Sequence, residues 1–123
     1  MDFKAITSEK YLQYFLSEGE HSIGDFIMTE FLSDMVKVSE SLDMEVTPTE
    51  IIKEIMGRCG LDGNPYDTIT QIAGGKLLDT LTILEIFSLL WFVSCKNLLT
   101  YQEGIYLRYA NNGTIGKLLK RLA

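Results

Sequence analysis

The stretch Leu81-Thr-Ile-Leu-Glu-Ile-Phe-Ser-Leu-Leu-Trp-Phe-Val-Ser-Cys95 decides the fold. Eleven of its fifteen positions are apolar and only Glu85 is charged. A helix that is apolar around its whole circumference has no solvent face, so other elements must enclose it. A membrane span is the rival reading. Spanning takes roughly 20 predominantly apolar residues across a hydrocarbon layer of about 30 Å. Fifteen helical residues reach only about 22 Å at about 1.5 Å each. Lys76 and Asp79 precede the run, and Glu85 interrupts it. The run is therefore read as a buried central helix, about residues 82–97.

Glu85 has a local explanation. Thr82-Ile-Leu-Glu85 fits a capping box, in which the Thr hydroxyl accepts the Glu85 N–H and the carboxylate accepts the Thr82 N–H. A buried catalytic acid is the sharper alternative, and the cap is preferred. The same punctuation recurs outward from this helix. Thr47-Pro-Thr-Glu50 adds Pro at the first helical position. Thr68-Ile-Thr-Gln71 and Thr100-Tyr-Gln-Glu103 repeat the spacing, and Ser22-Ile-Gly-Asp25 is a weaker variant. Period-two alternation is scarce, so strands are not expected.

The pattern predicts helices over about 8–17, 23–43, 48–58, 67–73, 82–97, 101–111 and 115–122, an all-α single domain of seven or eight helices spanning residues 1–123. The second helix should bury Ile23, Phe26, Ile27, Phe31, Met35, Val38 and Leu42, leaving Leu32 and Val36 off the main stripe. Gly60 suits the C′ position of the third helix. Thr114, after Asn112-Gly113, is expected to cap the last one, whose Leu118, Leu119 and Leu122 dock it.

A chain of 123 residues, 46% hydrophobic and 23% charged, can bury a core without staples. Cys59 and Cys95 sit in apolar helical contexts, as inert thiols do, and a disulfide between them is possible but not required. Met-Asp-Phe-Lys-Ala-Ile-Thr at the start has no basic region followed by an apolar one, so a cytoplasmic chain without a signal peptide is expected.

Catalytic and metal sets are hard to assemble. The one histidine, His21, lies beside Glu20 in a turn, and with two cysteines it makes no zinc spacing. Gly74-Gly75-Lys76 fails as a phosphate loop, because Thr occupies position 70 and Leu77 follows the lysine. A calcium loop starting at Asp62 would place Asp67 and Ala73 where Gly and Glu are required. No enzyme activity and no cofactor are implied.

Charge is the remaining signal. The net charge is −6, with residues 1–54 carrying −8 and residues 55–123 carrying +2. The window 18–54 holds ten acids against Lys37 and Lys53. Such a face repels nucleic acid, whose binding relies on Lys and Arg at phosphates, and it steers basic partners inward. The candidate contact residues are Glu18, Glu20, Asp25, Glu30, Asp34, Glu40, Asp43 and Glu45. The basic closing helix, Lys117-Leu-Leu-Lys-Arg-Leu122, is read as structural, its cations favoured at a helix C-terminus.

In size, acidity and helix content, across its whole length, the chain resembles the bacterial immunity proteins, including those of contact-dependent growth inhibition. The resemblance implies a protein that binds a cognate toxin, often a basic nuclease, and blocks it. The acids of residues 18–54 would then meet the Lys, Arg or His of the toxin. A phage-encoded inhibitor of a host protein or a secretion chaperone would use the same surface, and a ligand binder would use Glu85 or His21.

Overall fold

The computed structural model describes residues 2–17, 20–22, 24–42, 47–61, 63, 65–95 and 103–123. Its elements are α1 (Glu9–Leu16), α2 (Phe26–Ser41), α3 (Pro48–Arg58), α4 (Pro65–Gly74), a 3-10 helix (Lys76–Thr80), α5 (Ile83–Val93), α6 (Glu103–Asn111) and α7 (Thr114–Leu122). There is no strand among the described residues. No helix among them is long and apolar enough to cross a membrane.

The central run forms α5, and Ile86, Phe87, Leu89, Leu90, Phe92 and Val93 are all buried. Each such side chain contributes about 1.5–3 kcal/mol by leaving water. Even Ser88 is buried, its hydroxyl donating to the Leu84 carbonyl four residues back (2.8 Å). The helix is shorter than its apolar run suggests. It starts after the Thr82 cap and ends at Val93, and residues 96–97 lie outside the described set. Its first residue, Ile83, is 52% exposed.

α5 packs against α3, α6 and α7, while α7 packs also against α1 and α4. The last helix is therefore a second organising element rather than a lid. Ile115, Leu118 and Leu119 are fully buried, with Leu122 partly so. Gly116 permits a close approach of α7 to α1, because a Cβ there would lie 2.6 Å from the Phe15 carbonyl oxygen.

Two capping boxes form as the spacing predicts, Thr47–Glu50 on α3 and Thr82–Glu85 on α5. Two others do not. Thr68 lies inside α4 and is buried, so the Thr68–Gln71 box is replaced by an earlier start. Thr114 also lies inside its helix. Gly113 takes the N-cap position at φ +84°, and the Asn112 side chain accepts the Thr114 N–H (3.0 Å). The left-handed turn that Asn-Gly favours starts α7 one residue early, which frees the buried Thr114 hydroxyl to meet that of Thr70 (3.4 Å). The Thr100–Glu103 box falls outside the described residues.

α2 is also shorter than predicted, with the expected Phe31, Met35 and Val38 inside the core and Phe26 outside it, 77% exposed. Met28 is buried as well. Leu32 and Val36 pack against the edge of the core, as do Ile27 and Leu42. Ile23 lies outside the described residues.

Candidate functional site

The acidic residues of α2 meet the tyrosines of α1. Tyr11 and Tyr14 are three apart on α1 and so share a face. The Tyr11 hydroxyl donates to the Asp34 carboxylate (2.5 Å), and the Tyr14 hydroxyl to Asp25 (2.5 Å). Lys10 pairs with Glu30, and its ammonium lies 4.8 Å from the centre of the Tyr11 ring. Asp25, Glu30 and Asp34 thus form a ladder of carboxylates along the α1–α2 seam. Like charges four apart on one helix repel. Here the phenol of Tyr11 and the ammonium of Lys10 stand against Asp34 and Glu30 and offset that repulsion.

The seam shifts its titrating groups in consistent directions. Burial, then the bond to Asp34 and its charge, pushes the Tyr11 phenol far up; burial and Asp25 do the same to Tyr14. The Tyr14 hydroxyl and the Ser22 N–H hold the Asp25 carboxyl below its ordinary range. Both phenols therefore keep their protons as donors throughout the physiological range, and Asp25 stays an acceptor toward Tyr14. His21 closes the end of the seam. Its ring lies 4.2 Å from that of Tyr14, and its backbone N–H donates to Asn111 Oδ1 (2.7 Å), tying the α1–α2 connection to α6.

Of the eight acids proposed from sequence, Asp25, Glu30 and Asp34 are brought together and carry internal bonds, while Glu20 and Glu40 are exposed. Glu18, Asp43 and Glu45 lie outside the described residues. The outward face of α2 presents Phe26, Thr29, Ser33, Lys37 and Glu40. Phe26 follows Asp25 directly, so a large exposed ring stands at the end of the acidic seam. Leu16, at the C-terminal end of α1, is 48% exposed. Sequence reasoning assigned Phe26 to the core because its spacing from Ile27 and Phe31 fits the apolar stripe, and it could not see the ring as part of a surface.

Glu85 has a fully assigned set of partners. It accepts the Thr82 N–H (2.9 Å) and pairs with Arg58 of α3 (2.7 Å). Burial pushes its carboxyl up, but the Thr82 N–H and the Arg58 guanidinium outweigh burial and hold it below its ordinary range. An ionised, doubly bonded carboxylate is suited to fastening α5 to α3. Among the described residues no three of His, Cys, Asp and Glu converge into a group that could hold a metal. Comparison of the chain with protein-family models, with curated proteins and with solved structures finds no match.

Proposed function

We propose that this chain is a binding protein that neutralises a basic protein partner, an immunity protein acting on a toxin of the nuclease kind. The observation that carries the reading is the exposed Phe26 at the end of the Asp25–Glu30–Asp34 seam. Aromatic residues, Phe among them, are enriched at the cores of protein interfaces, with polar residues at the rim. The net −8 of residues 1–54 would speed encounter with a cationic active site. The internal bonds of the three seam acids hold them in place before the partner arrives, which lowers the ordering cost of association.

The surface is best tested at residues that do not also hold α1 to α2. Glu20 and Glu40 are exposed, and Phe26 is free of the core. The immobilised protein is used to capture partners from its native cell at low and at moderate salt, alongside the Phe26→Ala and Glu20→Lys/Glu40→Lys variants. A basic protein retained by the wild type, released as salt rises and lost by both variants supports the reading, as does inhibition of that protein's nuclease activity. A partner held equally by all three forms places the interface elsewhere.

A further inference from the structure

A second charged feature lies away from the acidic seam and uses no residue of α2. Between α4, the 3-10 helix and α7 is a cavity of about 330 Å³ lined by Ala73, Leu78, Lys117, Lys120 and Arg121. It is a depression open to solvent, in which Ala73 and Leu78 are largely buried and Lys117, Lys120 and Arg121 are exposed. The three cations are spaced three and four apart on α7, so they share one face, where like charges repel.

The helix dipole accounts for only part of this set of cations. Lys120 and Arg121 lie in the last turn of α7, where cations are favoured. Lys117 is the fourth residue of the helix, near the positive end of the dipole, where a cation is disfavoured. Its ammonium is held over Gly74, 3.8 Å from where a Cβ would stand. Neutralisation from within the fold is sparse. Among the described residues the ion pairs are Lys10–Glu30, Arg58–Glu85 and a loose Arg121–Asp79 contact (3.8 Å) between two exposed side chains, so Lys117 and Lys120 take part in none.

We propose that this cavity binds a small phosphate monoester. Three cations less the one carboxylate of Asp79 leave a local charge of +2. A phosphate monoester carries about −1.5 to −2 at neutral pH, so the charges match. Arg121 supplies a planar fork of donors and the two lysines supply mobile point charges, the combination that recurs at phosphates. The exposed edges of Ala73 and Leu78, together with the methylene stems of the two lysines, offer the non-phosphate part of the ligand an apolar seat. The volume is at the small end of ligand pockets, about 300–1,000 Å³. It has room for a phosphate and a body the size of one ring. Gly74 keeps the wall beside the Lys117 ammonium free of a side chain.

Titration of the full chain with phenyl phosphate, followed by amide NMR shifts, tests the assignment, with inorganic phosphate, phenyl sulfate and phenol as comparison probes. Saturable shifts confined to residues 73–79 and α7 are expected, with phenyl phosphate binding more tightly than any of the other three. Lys117→Gln/Lys120→Gln should weaken binding at least about tenfold, since it removes two of the three cations that would meet the phosphate. Both positions are exposed, and an unchanged far-UV CD melt verifies the fold of the variant. Failure to saturate in the millimolar range, or equal binding by the double variant, overturns the site. Equal affinity for inorganic phosphate overturns the apolar seat and hence the organic ligand.

Discussion

The sharpest test of the fold is one methyl group. Gly116 lies where α7 crosses the end of α1, and a Cβ there would stand 2.6 Å from the Phe15 carbonyl oxygen and 3.0 Å from both Phe15 C and Leu16 Cδ2. Optimal separation of carbon atoms is about 3.5–4.0 Å, so the methyl overlaps its neighbours by roughly half an ångström or more. Two of the obstructing atoms are backbone and cannot rotate away. The Phe15 ring is wedged against Phe31 at 4.8 Å and Tyr14 at 5.0 Å, which resists any shift of α1. Overpacking of this kind costs about 1–3 kcal/mol, and the rigid obstacle puts the figure at the upper end. Against it, Ala is the better helix former by about 1 kcal/mol. Gly116→Ala should therefore destabilise by about 1–2 kcal/mol. With about 2.1 cal/mol/K of unfolding entropy per residue, 1 kcal/mol is worth roughly 4 °C in a chain of 123 residues. A fall in Tm of about 4–8 °C by calorimetry or CD is the expected result. Gly57→Ala is the internal control: Gly57 is helical and exposed, and its Cβ would meet nothing within 4 Å, so helix propensity alone should raise Tm by up to about 4 °C. If Gly116→Ala melts at or above the wild type, α1 and α7 do not cross as described.

Three further outcomes follow from the side-chain bonds. Asp34→Ala strands the buried Tyr11 hydroxyl and should cost about 1–3 kcal/mol, whereas Asp34→Asn retains an acceptor and should cost less; equal denaturant midpoints for the two variants would count against the bond. Because the Glu85 carboxyl is held below its ordinary value of 4.5, its contribution is present above that pH and is lost as pH falls through the lowered folded value. Glu85→Gln keeps a side chain able to cap but loses the charge, so the gap in Tm between neutral and acid pH should narrow; an unchanged gap would remove Glu85 from the acid sensitivity. Cys59 is half-buried, while Cys95 is buried with its thiol pushed up to about 11 by loss of solvent, so a thiol reagent should modify Cys59 in the native protein and reach Cys95 only on unfolding.

The parts legible in the sequence are those set by local chemistry or by sheer apolarity. The Leu81–Cys95 run announces a buried helix because no rotation of it offers water a polar face, and α5 is buried from Ile86 to Val93 apart from the partly exposed Trp91. Thr47-Pro-Thr-Glu50 gives both the start and the cap of α3 because the bonds lie within four residues. Thr114 departs from its expected cap position because two local preferences compete there. A hydroxyl at a helix start favours the N-cap, but Asn112-Gly113 completes the turn first, and the tertiary contact with Thr70 takes the hydroxyl. Phe26 was misjudged because a helical stripe read from spacing alone is uncertain by one position on either side. The residue before it, Asp25, is bonded to Tyr14, eleven residues back in the chain, a tertiary contact that spacing does not reveal.

The acidic seam shows the same limit in its most consequential form. Composition gives ten acids in the window 18–54, and from composition alone all ten are equivalent. Folding divides them according to whether a donor from another helix arrives. Tyr11, Tyr14 and Lys10 reach Asp34, Asp25 and Glu30, and these carboxylates acquire a structural duty in addition to any they have toward a partner. Glu20 and Glu40 acquire none that ties α1 to α2. A charge reversal at Asp34 would thus disturb binding and folding together, whereas reversal at Glu40 leaves the seam intact and reports on binding alone. The residues most informative about function are therefore the acids left outside the seam, together with Phe26, whose ring takes no part in the core.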